Sequence, residues 1–207
     1  IDIPTLQMSP QLYKEMEGES MVQPFVGYKV FHANCFNTEN HMSLDVGENS
    51  VCGVKILFRD SAKENGAIAT TVGTSQKRYI SRSINPAISS FQIRIGDLTV
   101  FDREVGSEER FYELLKEFYA VHHDKDQGTL LGVWNYSSLI STDMTMTTDS
   151  TILNTPCFQI AVDLSKHGRG SGVPCKDRPL EIDISVPNAL STMVADVYVF
   201  YNRAVAT

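Results

Sequence analysis

Apolar and polar residues alternate along several stretches of this chain, which is the pattern of β-strands that bury one face. The alternation is clearest in the last third, where loops that contain glycine or proline separate three such stretches. With the stretches before them, the pattern predicts about eight strands, most of which follow one another without a helix between them. The predicted strands are 25–36, 41–46, 51–58, 91–95, 98–101, 158–164, 180–186 and 194–201.

One stretch departs from this pattern and predicts a helix. Ser107 can cap its first turn, and Glu108 and Glu109 lie at the positive end of the helix dipole. The predicted buried face comprises Phe111, Leu114, Leu115, Phe118 and His122. We therefore predict an all-β fold, an eight-stranded antiparallel sandwich with one inserted helix at about 107–122, for which the jelly roll is a common form.

Length and charge restrict the functions to consider. The 207 residues fit one large all-β domain. The formal net charge is −7, and no run of lysine and arginine exceeds two, so we expect no direct binding to nucleic acid or to an anionic membrane. No apolar run approaches the roughly 20 residues that span a bilayer. The first residue is Ile1 with no signal peptide before it, and we expect the chain to be a cleaved or truncated portion of a longer product.

A search for catalytic and metal-binding residues leaves no convincing site. A tetrahedral zinc site could in principle be formed by His32, Cys35, His41 and Cys52. Their spacing is loose and they lie in or beside apolar strands, which favours positions in the core or at its rim. The stretch 170–172 contains part of a serine-nucleophile motif, but no helix follows it. We therefore expect a protein that is not an enzyme, with no catalytic residues, no cofactor and no metal.

The remaining candidates also have ordinary structural interpretations. Trp134, Tyr136 and the aromatic residues of the last strand could form a carbohydrate platform, although aromatic residues at strand spacing are more often core. The four cysteines show no close pairing, and we expect reduced thiols in an intracellular setting.

Two features together resemble a known family. The first is a strand, SSFQIRIGDLTV (89–100), which leads through Asp102 and Arg103 into the helix EERFYELLKEFY (108–119). The second is the ending, LEIDISV (180–186) followed by VADVYVFYNRAV (194–205). These features resemble the C-terminal half of the double jelly-roll major capsid proteins of polinton-like viruses, virophages and, more remotely, the adenovirus hexon. The chain departs from that family where it reads Val100-Phe101 instead of a proline, and in having room for one barrel only.

The resemblance implies an architectural function. Residues 1–20 would be an N-terminal extension or inter-barrel linker, and 21–207 a single jelly-roll domain. Three subunits would form a pseudo-hexagonal capsomer of an icosahedral shell. The partners would be the chain itself as a homotrimer, neighbouring capsomers, the other barrel of the same protein, and penton or minor capsid proteins. The location would be the virion, after assembly inside the host cell. We expect contacts between subunits from Lys77, Arg78 and Arg82, in a surface segment that could meet acidic neighbours.

Three alternatives remain open. A carbohydrate-binding jelly roll, such as an attachment module, would use surface aromatic residues near Trp134. A small jelly-roll enzyme would need a metal site formed by His32, Cys35 and Cys52. A penton-type single jelly-roll capsid protein would assemble as a pentamer instead of a trimer.

Overall fold

The computed structural model describes residues 22–61, 85–122, 158–167, 172–187 and 191–206. The helix α1 spans Glu108–His122, and a short 3-10 helix spans Ser165–His167. The strands are β1 (Val22–Asn34), β2 (Glu39–Leu44), β3 (Val51–Asp60), β4 (Ser90–Ile95), β5 (Leu98–Thr99), β6 (Gln159–Asp163), β7 (Leu180–Ser185) and β8 (Met193–Ala206).

The strands form two antiparallel sheets of four. The first sheet has the order β1-β8-β3-β6, and the second has the order β2-β7-β4-β5. The strands therefore pair in nested fashion, β1 with β8, β2 with β7, β3 with β6 and β4 with β5. An antiparallel ribbon of nested pairs wound into two sheets is the jelly roll. The predicted fold class is confirmed, including the eight strands and the inserted helix.

The core lies between the two sheets and is built by the period-two pattern of the strands. In β7, Leu180, Ile182 and Ile184 are buried, while the residues between them are partly exposed. The central strand β8 contributes Val197 and Val199 from the opposite sheet. The largest fully buried side chains are Phe58, Phe91, Phe118, Ile56, Ile93, Ile95, Leu115, Ile160, Leu164, Leu180 and Ile182.

The helix α1 begins as the sequence predicts. The backbone N–H of Arg110 donates to the Ser107 hydroxyl at 3.3 Å, so Ser107 is the N-cap. Tyr119 also belongs to the buried face, at 7% exposure, and the sequence pattern did not include it. Leu115 and Phe118 pack with Tyr119 and Ala161 on the outer surface of the first sheet. The helix therefore covers the β6 side of that sheet.

The strand β5 is shorter than the predicted 98–101, and the reason is a side chain. The Gln92 carboxamide accepts a hydrogen bond from the N–H of Phe101 at 3.2 Å and donates one to the carbonyl of Phe101 at 2.9 Å. At Phe101, the Gln92 side chain makes the hydrogen bonds that the backbone of β4 would otherwise make. The strand β5 therefore ends at Thr99.

Candidate protein-interaction surface

The predicted contact residues Lys77, Arg78 and Arg82 lie outside the described residues, so the contact remains a prediction. The same holds for the carbohydrate-platform residues Trp134 and Tyr136.

The four residues considered as zinc ligands, His32, Cys35, His41 and Cys52, do not come together at one site. His32 lies on β1 in the first sheet and His41 on β2 in the second, and each contacts an aspartate. Cys35 and Cys52 are buried, and burial raises the pKa of each thiol to about 11. Within the described ranges, no group of three or more histidine, cysteine, aspartate and glutamate residues could hold a metal ion.

The described cysteines have free thiols. They are Cys35, Cys52 and Cys175, all buried, and burial likewise raises the pKa of Cys175 to about 11. These thiols are therefore protonated at neutral pH and poorly reactive. The fourth cysteine, Cys157, lies outside the described residues.

A triad of Arg59, Asp196 and His32 crosses three strands of the first sheet on its outer face. The Nη2 of Arg59 donates to Asp196 Oδ1 at 2.7 Å, and its Nε also donates to Oδ2 of the same carboxylate. His32 Nδ1 lies 2.6 Å from Asp196 Oδ1. The side chain of Asp196 is only 4% exposed. Asp196 lies on β8, between β1 and β3, and its carboxylate is therefore bonded to a side chain on each of these two neighbouring strands.

The second sheet carries a triad of the same layout. Asp183 lies on the inner strand β7, with His41 Nδ1 at 2.7 Å on β2 and Arg94 Nη2 at 2.8 Å on β4. In both sheets the histidine is directly opposite the aspartate and the arginine is two residues along. The difference is burial, because the Asp183 side chain is 37% exposed. Asp183 lies on the outer face of β7, and its carboxylate belongs to this ion-paired cluster.

A third charged cluster fastens the loop between β2 and β3 to the first sheet. The carboxylate of Glu48 lies 2.9 Å from Lys29 Nζ, and Arg203 Nη2 donates to it at 2.7 Å. Lys29 also donates to the carbonyl of Val46 at 2.6 Å. The hydrogen bond from Lys29, followed by that from Arg203, holds the pKa of Glu48 below its ordinary value of 4.5, against the opposing effect of burial. The cluster thus joins β1, β8 and the loop through one charged carboxylate.

We expect this cluster to make stability depend on pH. Because the folded pKa of Glu48 is lowered, its contribution is fully present above about 4.5 and is lost as the pH falls through the folded pKa. Glu48→Gln should therefore lower the free energy of unfolding by about 2 kcal/mol near neutral pH, and by much less in acid, where Glu48 itself is protonated. Urea unfolding of both proteins across this range measures the difference. Asp45→Asn, at an exposed carboxylate in the same loop, is the control. An equal difference at all pH values would contradict the assignment.

The strand 89–100, on which part of the resemblance rests, contains Gln92, Arg94 and Gly96, and the structure gives each of them a role. Gln92 ends the β5 ladder, and Arg94 pairs with the acids of β7. Gly96 has a φ of +58°, and a Cβ there would lie 2.8 Å from the Cδ of Arg178. The turn between β4 and β5 therefore favours glycine for its backbone conformation, while the exposed Arg178 side chain could move away from an added Cβ. These residues shape the barrel.

The two sheets differ in the apolar content of their outer faces. On the second sheet, the outward side chains of the described residues are polar or charged, and they include Glu39, His41, Ser43, Arg94, Glu181, Asp183 and Ser185. On the first sheet, the strand β1 turns Val26, Tyr28 and Val30 outward, with 55, 61 and 38% of their surface exposed. Single exposed apolar side chains are ordinary on protein surfaces, whereas a contiguous group of them is typical of an interaction site.

Aromatic rings extend this apolar surface across the first sheet. The ring of Tyr28 lies 6.2 Å from that of Tyr198 and 6.1 Å from that of Phe200. Phe200 in turn lies 5.5 Å from Phe118 of α1. We refer to Val26, Tyr28, Val30, Tyr198 and Phe200 together as the β1 face. The helix covers the β6 side of the outer surface of the first sheet, and the β1 face lies toward the β1 side, next to the triad of Arg59, Asp196 and His32.

Under the helix, the outer surface of the first sheet holds a lysine. Lys55 Nζ donates to the Tyr119 hydroxyl at 3.1 Å, and that hydroxyl lies 3.3 Å from Gln159 Oε1. Burial lowers the pKa of Lys55. These groups are enclosed between α1 and the sheet.

Sequence reasoning did not identify the β1 face. The signal was present, because FVGYKVF (25–31) has apolar residues at outward as well as inward positions. A strand that is apolar on both faces must be covered on both. The structure adds that, among the described strands, β1 lies at one edge of the first sheet and that α1 covers the side of that sheet formed by β6.

Comparisons with known proteins give structural matches only. No protein-family model matches the chain, and no curated protein matches it. One similar solved structure is the quasi-atomic model of the PBCV-1 virus capsid, with a TM-score of 0.47 and 9% identity, covering 93% of this chain and 51% of that chain. Another is PBCV-1 VP54 fitted into a cryo-EM reconstruction of the virophage Sputnik, with a TM-score of 0.45 and 8% identity, covering 95% and 52%. The chain spans about half the length of these structures.

The helices within the described ranges include none that is long and apolar enough to cross a membrane.

Proposed function

We propose that this chain is a jelly-roll portion of a viral major capsid protein and that its role is architectural. The observation that carries the proposal is the strand order of the two sheets, with α1 placed directly after β4 and β5. The segment that resembles double jelly-roll capsid proteins forms these three elements in the order that the resemblance implies. Jelly rolls occur in viral capsid proteins, in lectins and in cupins, so the fold alone leaves these classes to be distinguished.

Two features support the capsid class among these. A cupin uses clustered histidine ligands, whereas His32 and His41 lie on different sheets and each contacts an aspartate. The first sheet presents the apolar β1 face, whereas the outer face of the second sheet is polar. This difference suits a wall that packs against other subunits on one side. The charged clusters around Asp196 and Glu48 join neighbouring strands and stiffen that wall.

The proposed assembly is a trimer. Three subunits would form a pseudo-hexagonal capsomer of an icosahedral shell, with residues 1–20 as an extension or linker to the other barrel of the same protein. Neighbouring capsomers and penton or minor capsid proteins would complete the shell. Lys77, Arg78 and Arg82 are the proposed cationic contacts to acidic neighbouring surfaces. The protein would be located in the virion after assembly in the host cell.

The native mass of the purified chain tests this assembly. Size-exclusion chromatography with light scattering at several concentrations should give a species of three times the 23.1 kDa chain mass, or a multiple of that trimer. The triple charge reversal of Lys77, Arg78 and Arg82 to glutamate should weaken it. A pentamer would instead favour the penton-type capsid protein. A monomer at every concentration would contradict the trimer, and glycan binding that is lost in Trp134→Ala would then favour the attachment module.

A further inference from the structure

The outer face of the second sheet carries two exposed carboxylates that are bonded to serine hydroxyls. The Ser185 hydroxyl donates to Glu39 at 2.8 Å, and the Ser90 hydroxyl donates to Glu104 at 2.5 Å. Ser185 is directly opposite both Glu39 on β2 and Ser90 on β4, so the two acids lie at the two ends of one row across the sheet. A hydroxyl donor leaves the negative charge of a carboxylate in place, so each of these acids can still pair with a cation.

The neighbouring rows of this face add further negative charge. Glu181 and Asp183 share one cation, because Arg94 lies 3.5 Å from the carboxylate of Glu181 and 2.8 Å from that of Asp183. His41 lies 2.7 Å from Asp183. With His41 neutral, the four carboxylates and one arginine of these rows give a net charge of −3. The face is therefore suited to a cationic partner.

The same chain contains a segment of the opposite charge. Residues 65–96 include no aspartate or glutamate, and this is the longest such stretch in a chain with 25 acidic residues. Lys77, Arg78 and Arg82 lie within it, before β4 begins. Opposite charges on two surfaces that meet determine which surfaces pair and in what orientation. This segment therefore complements the outer face of the second sheet.

A ring of three subunits requires two different surfaces that complement each other. In a cyclic trimer, one part of each subunit contacts a different part of the next, whereas a two-fold contact uses the same patch twice. The acidic face and the cationic segment are two different parts of one chain and have opposite charge. A contact between them also offsets the repulsion between copies that each carry a net charge of −7.

We propose that the outer face of the second sheet binds the segment of the neighbouring subunit that contains Lys77, Arg78 and Arg82, with Glu39 and Glu104 as carboxylates that receive these cations. The inference rests on the proposed trimer and names the surface that its cationic contacts meet. It is a contact between charges and is separate from the packing of the apolar β1 face. Because the carboxylates are exposed, the contact should weaken as the salt concentration rises.

Charge reversal on each side tests this contact. Glu39→Lys with Glu104→Lys gives the face variant, and the triple reversal to glutamate described above gives the segment variant. Each alone should lower the native mass up to three-fold, toward that of one chain, because charges of the same sign then face each other. A chain that carries all five changes should regain the wild-type mass. The neutral variant Glu39→Gln with Glu104→Gln keeps the side-chain shapes and should give a smaller loss.

A matched control makes the same change in net charge elsewhere on the molecule. Glu113 and Glu117 are exposed acids of α1, on the helix that covers the first sheet. Glu113→Lys with Glu117→Lys should leave the native mass unchanged. A loss of mass equal to that of the face variant would attribute the effect to net charge and would overturn the contact.

Co-purification shows whether the contact joins two chains. A tagged face variant should retain the untagged segment variant, because its reversed face then meets a reversed segment. Neither variant should retain an untagged copy of itself. If the two variants do not co-purify, the contact between subunits is overturned, even where the chain with all five changes regains its mass by a contact within one chain.

The outcomes separate this inference from the proposed function. A face variant that keeps the mass of a trimer overturns this contact and leaves the proposed trimer intact. A chain with all five changes that stays at the lower mass also overturns it. A wild-type protein that is not a trimer contradicts the proposed function, and co-purification of the two variants then decides the contact alone, supporting it if they bind each other and overturning it if they do not.

Discussion

Replacing Asp196 with asparagine is expected to lower the free energy of unfolding by about 3 kcal/mol, because it removes one charge from a buried ion pair. The Asp196 side chain is 4% exposed, and Arg59 donates to both of its oxygens from the neighbouring strand β3. The substitution keeps the shape of the side chain and removes the negative charge to which the partly buried guanidinium donates. Urea unfolding followed by circular dichroism measures the change.

The second sheet provides a matched control for this prediction. Asp183 has the same arrangement of histidine and arginine neighbours, but its side chain is 37% exposed. Asp183→Asn should therefore lower the free energy of unfolding by only about 0.5 kcal/mol, as is typical of solvent-exposed ion pairs. Equal losses in the two variants would show that burial does not set the strength of these triads.

Phe91→Ala is expected to have the largest effect, a loss of about 4 kcal/mol. Phe91 has no exposed surface, and its ring lies 5.9 Å from that of Phe101 and 6.0 Å from that of Phe111 on α1. Phe111 in turn lies 5.7 Å from Phe158. The substitution leaves a cavity where the second sheet, the helix and the segment before β6 meet.

Tyr28→Ala is the control for Phe91→Ala, since it also truncates an aromatic residue of a strand. Tyr28 is exposed, so its loss should change the free energy of unfolding of the dilute protein by no more than about 0.5 kcal/mol. Both variants can be compared by urea unfolding at low protein concentration. A loss for Tyr28→Ala as large as that for Phe91→Ala would mean that the β1 face is part of the folded core.

The fold could be predicted from the sequence because local patterns determine most of its elements. In β2 and β7, buried and exposed positions alternate, as expected of strands with one face toward a core. The helix α1 begins within one residue of its predicted start because Ser107 caps it. A chain of eight strands and one helix can bury its apolar faces in few arrangements other than two packed sheets.

The environment of the outer faces could not be predicted, because it depends on which elements become neighbours. Gln159 and Asp163 have the spacing of outward residues in β6, yet both are buried, since this strand lies beneath α1. Asp196 also follows an outward pattern, and its burial results from Arg59 and His32 on two other strands. Such pairings join residues that are more than a hundred positions apart.

The interaction surface was missed for a related reason. In the sequence, a charged surface segment suggests contacts between subunits, and this segment contains Lys77, Arg78 and Arg82. The β1 face consists of ordinary strand residues. The structure adds that, among the described strands, β1 lies at the edge of its sheet with Val26, Tyr28 and Val30 exposed. The charged contact remains a prediction.

Electron microscopy of the purified chain in negative stain tests the architectural role most directly. We predict class averages with three-fold symmetry, which at higher protein concentration join into larger sheets or shells. Particles with five-fold symmetry, or single barrels at every concentration, would contradict the proposal that this chain builds trimeric capsomers.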